Sequence, residues 1–248
     1  MKKPSVLGAV VVVTLAFVWT GSAFAGRPLS TEDTGTVGKG AFEVEVGVDY
    51  LRYENDDEEI SPGLALTYGL TDNLDIGLGV PFLFLRPDDG PDEEGLSDLE
   101  LCLKYGFLEE AERYPSLALV GFVTLPTGDV DKGLGAGNSD MGILLVASKD
   151  LCDMTFHCNL GYQYVGSGQP NDVFLYGAAF ERPLNEKWTL VGEIVGETSA
   201  APDAVNCLLG VTYEVKENLV LDFGVSYDLA DEEDSPDYGL TMGATFCF

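Results

Sequence analysis

A chain of 248 residues with 42 acidic against 13 basic side chains carries a formal net charge of −29. That excludes nucleic acid as a partner, because such affinity comes from cations replacing counterions on phosphates. Hydrophobic residues make up 46% and aromatic residues 10%, so the acidity does not imply disorder and a folded structure is expected.

In chain order, the first element is a leader. Met1-Lys2-Lys3, the apolar run 6–18 and Ala23-Phe24-Ala25 follow the basic, apolar and small-residue order of a bacterial signal peptide. The run is shorter than the about 20 apolar residues that a helical span requires. We therefore expect export through the Sec pathway, cleavage after Ala25, and a mature barrel domain of residues 26–248. No Cys directly follows the cleavage point, where Gly26 stands, which argues against a lipid anchor. Losing Lys2 and Lys3 takes the net charge to −31, and no later stretch is long enough for a helical span.

From residue 41 the chain alternates apolar and polar residues with period two. Phe42, Val44, Val46, Val48 and Tyr50 alternate with Glu43, Glu45, Gly47 and Asp49. Leu99, Leu101, Leu103, Tyr105 and Phe107 alternate with Glu100, Cys102, Lys104 and Gly106. The same holds for Phe156 to Tyr164 and for Leu219 to Tyr227. Successive strand side chains point to opposite faces, so each run has one apolar and one polar face. Twelve runs fall near 41–54, 60–71, 74–86, 97–109, 116–127, 140–150, 154–165, 172–183, 188–198, 204–215, 219–230 and 237–248. Each has about 10 to 14 residues, against about 9 to 11 for a tilted strand crossing a bilayer and about 5 to 6 in ordinary sheets.

The joints alternate too. Thr71-Asp72-Asn73, Asn185-Glu186-Lys187 and Lys216-Glu217-Asn218 are tight, whereas 54–59, 88–94 and 231–234 are longer and acidic. Short turns on one rim and long loops on the other are the pattern of outer-membrane barrels, with the short rim periplasmic. The basic residues Arg113, Lys149, Arg182, Lys187 and Lys216 fall at or beside the short joints. An even strand count puts both chain ends on that rim. The expected fold is therefore all-β: a transmembrane, antiparallel, up-and-down β-barrel of about 12 strands.

A soluble sandwich or lipocalin-like barrel would share the alternation, but three features favour lipid. Glycines mix with acids on the polar face (Gly77, Gly79, Gly161, Gly224, Gly243), as a crowded lumen needs. Aromatics sit near strand ends on the apolar face (Tyr53, Tyr68, Phe82, Phe84, Tyr105, Phe107, Trp188, Tyr213, Tyr227), as interfacial girdles do. Last, the final strand ends on Phe248, which looks like the assembly signal of such barrels. The partners expected are outer-membrane lipid, lipopolysaccharide and, through Phe248, the barrel-assembly machinery; the location expected is the outer membrane.

The face opposite the apolar one should line the lumen. It offers Glu43, Glu45, Asp49, Asp75, Glu100, Lys104, Glu193, Asp222 and Asp228, an acid excess opposed by Lys104 alone, so the interior field should favour cations. On the fifth, sixth and eighth runs both faces are apolar, so Val120, Phe122, Leu144, Val146, Val173 and Leu175 join the lumen. Such a greasy wall is either a path for amphipathic solutes or the seat of an inward-folded loop, with 127–139 the longest available.

Four pieces carry a family resemblance: Gly77-Leu78-Gly79-Val80-Pro81-Phe82, Gly95-Leu96-Ser97-Asp98-Leu99, Thr124-Leu125-Pro126-Thr127-Gly128-Asp129 and Gly137-Asn138-Ser139-Asp140-Met141-Gly142. In that order and spacing the chain resembles the bacterial outer-membrane transporter family of the meta-pathway of phenol degradation. The resemblance implies a β-barrel and the passage of small compounds, aromatic ones among them.

Chemistry motifs are sparse. His157 is the sole candidate base, its chain neighbours Thr155 and Asn159 complete no catalytic constellation, and no P-loop, dinucleotide fingerprint or HExxH occurs. No catalytic residue, metal site or cofactor is expected. The acidic loops could hold Ca²⁺ or Mg²⁺ but lack the EF-hand spacing. One disulfide, with Cys152 and Cys158 nearest in sequence, competes with five free thiols, and the free thiols are the better expectation since spacing fixes no pairing. The function expected is a passive channel or facilitator for small solutes, aromatic or cationic. The alternative is a non-conducting structural or adhesion barrel whose acidic loops bind divalent ions.

Overall fold

Alternating strands can satisfy their backbone in hydrocarbon only as a closed sheet, because an open edge leaves N–H and C=O groups unpaired there. The computed structural model describes residues 26–53, 55–166, 173–198, 204–230 and 236–248, and it is closed. Its strands are β1 (Phe42–Tyr53), β2 (Glu58–Thr71), β3 (Leu74–Arg86), β4 (Glu93–Leu96), β5 (Leu99–Leu108), β6 (Ser116–Leu125), β7 (Met141–Leu151), β8 (Met154–Tyr164), β9 (Val173–Pro183), β10 (Trp188–Thr198), β11 (Ala204–Lys216), β12 (Leu219–Asp228) and β13 (Pro236–Cys247). Neighbours in sequence pair antiparallel except β4 and β5, and β13 returns to β1 with Val46 opposite Ala244. The Phe42 N–H donates to the Phe248 carbonyl (3.0 Å) and the Phe248 N–H to the Phe42 carbonyl (2.8 Å), so the seam holds to the last residue.

β4 and β5 both lie on β3. Phe82 faces Leu96 in one and Gly79 faces Glu100 in the other, so they are two halves of one crossing strand broken at Ser97-Asp98. The thirteen segments therefore make a wall of twelve strands.

The outer face carries large apolar side chains in the open: Leu103 is 50% exposed and Leu209 59%. The inner face buries polar ones, among them Lys104, Asn159, Glu193 and Asp222. That inverts the pattern of a soluble domain and fits a lipid surround. Aromatic pairs mark both rims of the greasy band. Phe42–Tyr68 (4.5 Å between ring centroids) and Trp188–Tyr213 (4.7 Å) lie at the short-turn rim, Phe82–Phe84 (5.0 Å) and Tyr50–Tyr238 (6.3 Å) toward the other. Inside, the expected greasy wall is present: Ala118, Val120, Leu144, Val146, Val173 and Leu175 cluster with Cys102 and Val165, and Phe122 packs against them.

Two expectations need correction. Glu93 and Glu94, expected in a loop, begin β4, because the strand that seemed to start at 97 is continued on β3 beyond the break. Tyr53, expected in the outer girdle, falls on the inward parity of β1, two residues after the buried Leu51. Parity, not residue type, decides the face. All five cysteines are free. The leader expected at 1–25, Glu54 and the acidic loop at 231–234 lie outside the described residues.

Candidate functional site

Residues 26–40 are rich in Gly, Ser and Thr, show no alternation and join no strand. They run inside the barrel. At the short-turn rim Gly38 and Gly40 adopt left-handed backbone (φ 86° and 79°), and the Gly40 N–H donates to the Gly69 carbonyl (2.8 Å). Glycine alone takes that conformation without a Cβ penalty, so the pair can bend the chain from β1 into the lumen.

Deeper in, wall side chains receive the segment's backbone. Val37 N–H donates to Asp75 Oδ2 (2.9 Å), Thr34 N–H to Ser148 Oγ (3.1 Å) and Glu32 N–H to Asn159 Oδ1 (2.7 Å). Asn159 Nδ2 donates back to the Glu32 carbonyl (2.8 Å). Ser30 and Thr31 N–H donate to the Glu193 carboxylate (2.9 and 2.8 Å). Ion pairs complete the hold: Lys104 Nζ meets Glu32 (2.7 Å), and the Arg27 guanidinium faces Asp222 (3.5 Å) and Asp49 (3.8 Å) while donating to Thr241 Oγ1 (2.6 Å). The Arg27 N–H also reaches Glu45 (3.4 Å). Leu29 is seated against Ala179, Val191 and Leu208, and Pro28 beside it is buried too.

Six of the ten residues expected to line the lumen (Glu45, Asp49, Asp75, Lys104, Glu193, Asp222) thus converge on this segment. Glu100 and Phe122 instead border the space above it. Glu43 stays near the seam, accepting from Cys247 Sγ (3.6 Å), and Asp228 accepts the Ala230 N–H (3.1 Å) at the far end of β12. The sequence reading missed the segment itself and Arg27, the second inward cation. A signal was there: inward glycines form its bed. A Cβ at Gly47 or Gly243 would collide with the Arg27 side chain, and one at Gly69 with the Gly38 backbone. At Gly210 it would lie 3.0 Å from Pro28, and at Gly177 3.1 Å from Thr31.

Above the segment a cavity of about 360 Å³ opens toward the long loops. The loop at 127–139 also folds inward, as the loop reading of the greasy wall expects, but onto another side. Asp98, turned in at the β4–β5 break, accepts the N–H groups of Gly128 (2.8 Å) and Ala136 (2.7 Å). The buried Leu134 seats over Gly95 of β4, leaving Val120, Phe122 and Leu144 bordering the cavity.

His157 has a hydroxyl and an acid beside it: Ser148 Oγ lies 2.8 Å from Nδ1 and Glu181 3.5 Å from Nε2. Nucleophilic catalysis would require a Ser Oγ open to a substrate. Here Ser148 Oγ already receives the Thr34 N–H and does not border the cavity. Ser148 anchors the segment, with His157 against its hydroxyl.

The family described as "Putative MetA-pathway of phenol degradation" matches residues 25–246. No curated protein sequence matches the chain. Among solved structures, the chain is similar to an outer membrane channel from Pseudomonas putida F1, with a TM-score of 0.70, 17% identity and coverage of 87% of this chain and 98% of that one. It is similar also to the NanC porin (TM-score 0.62, 10% identity, 82% and 98% covered) and to the KdgM porin (0.57, 10%, 83% and 99%). At these identities the likeness is one of fold.

Proposed function

This chain belongs to the family described as "Putative MetA-pathway of phenol degradation", and from that membership and the lumen geometry we propose that it is an outer-membrane channel for small solutes whose short-turn half is closed by residues 26–40. Solved barrels of the same fold are named as an outer membrane channel and as porins, and the family's description points to aromatic solutes. A Sec leader at 1–25, a periplasmic short-turn rim, contacts to outer-membrane lipid and lipopolysaccharide, and assembly through Phe248 belong to the same reading.

One observation carries it: the closure is held mainly by hydrogen bonds and ion pairs, with Pro28 and Leu29 its buried apolar side chains, rather than by an apolar core. Each hydrogen bond returns about 0.5–1.5 kcal/mol net, or about 1.5–3 kcal/mol where a charged carboxylate accepts, while fixing each residue costs about 1–2 kcal/mol. A segment so held can leave without unfolding the wall.

Deleting 26–37 tests this in planar bilayers. The shortened barrel should conduct far more than the parent, and its reversal potential in a salt gradient should favour K⁺ over Cl⁻, since the freed carboxylates face the pore. The filled lumen also favours a second reading, a non-conducting barrel whose acidic loops contact divalent ions. A deletion variant as silent as the parent would establish that one instead.

A further inference from the structure

The cavity above the segment has an unusual lining. Eight carboxylates border it against one guanidinium, that of Arg27. Most are engaged: Glu32 by Lys104, Glu45 and Glu193 by segment N–H groups, Asp98 and Asp140 by loop N–H groups. Among the described residues Glu59 has only the Ser61 hydroxyl (2.6 Å). Glu100 borders the cavity with no hydrogen bond and no cation against it among the described residues.

Glu100 stands opposite Thr124 on β6, and Phe122 lies two residues along the same inward face. Diagonal neighbours of that kind are within reach of one another's side chains. Phe122 is the one aromatic ring bordering the cavity among the described residues, and Val120 and Leu144 continue its apolar surface. An unpaired carboxylate beside such a surface is costly, because water is partly excluded and no counter-charge replaces it. An anion would add to the acid excess. A neutral aromatic would leave Glu100 unpaired, and a bare metal ion would leave the apolar surface wet.

We propose that this cavity is a binding site for a monovalent organic cation with an apolar body, its ammonium against Glu100 and its body against Phe122, Val120 and Leu144. The site names a solute class for the channel and rests on that reading, yet it is complete while the lower half stays closed. A ring face beside an ammonium adds cation–π attraction.

The test is calorimetric titration of the intact mature barrel in non-ionic detergent with benzyltrimethylammonium, benzyl alcohol and benzoate. The quaternary ammonium should saturate at one per barrel and the other two should bind much more weakly. Glu100→Gln should weaken it about tenfold or more, Phe122→Leu should weaken it as well, and Asp88→Asn in an outer loop should not. Glu100→Gln removes an unpaired charge, so its heat-modified mobility on gels should match the parent; if it does not assemble, Phe122→Leu decides. Equal binding of benzyl alcohol or benzoate, no saturation, or indifference to both inward substitutions overturns the proposal. Binding in a barrel that stays silent after deletion of 26–37 would keep this site and refute the channel; conduction without binding would do the reverse.

Discussion

Arg27 is where the lumen's acid excess is put to use. Its guanidinium lies among Asp49, Asp222 and Thr241, in space that exists because Gly47 and Gly243 have no side chains. Gly47→Val fills that space. Valine suits a strand interior better than glycine, by up to about 1 kcal/mol, so the wall should not lose heat resistance. The segment, however, must move. We expect Gly47→Val to raise conductance part of the way toward the 26–37 deletion, and to speed amide hydrogen exchange at Ser30 and Thr31, whose N–H groups Glu193 holds. Parent-like conductance and amide protection would remove Arg27 from the closure.

Among the elements, β5 separates two kinds of side chain one residue apart: Leu103 is half exposed on the outer face, Lys104 buried beside Glu32 on the inner one. Leu103 sits mid-strand, between Ile76 on β3 and Gly121 on β6. Leu103→Arg should cost about 2 to 4 kcal/mol, the range for arginine near the bilayer midplane. Heat-modified mobility should fall or assembly fail. Cys102→Ser, inward on the same strand, should assemble. Wild-type heat resistance in Leu103→Arg would mean that this face does not meet lipid.

For the whole molecule, both ends of the wall and the tight joints share one rim, since Phe42 pairs with Phe248 beside the bond from Gly40 to Gly69. If that rim is periplasmic, an impermeant thiol label on whole cells should reach a cysteine placed at Asp89 but not the native, exposed Cys152 in the β7–β8 turn. Opening the outer membrane should make Cys152 reactive. Labelling of Cys152 in intact cells would reverse the orientation.

The alternation of residues 42–248 by itself determined the twelve-stranded wall, the inward set of acids and the greasy patch around Phe122. A period of two fixes which side chains share a face without knowing what they meet. The same rule misplaced Tyr53 only where residue type was preferred to parity. It was silent about 26–40, because a segment without periodicity carries no signal of what it packs on. The inward glycines recorded a close approach, but not of which residues. Only the closed barrel decided that Arg27 meets Asp222 and that Glu32 meets Lys104, contacts between residues 195 and 72 positions apart in the chain. Bringing twelve strands around a common axis makes neighbours of groups that no local pattern relates, and it leaves Glu100 facing a cavity with no cation against it among the described residues.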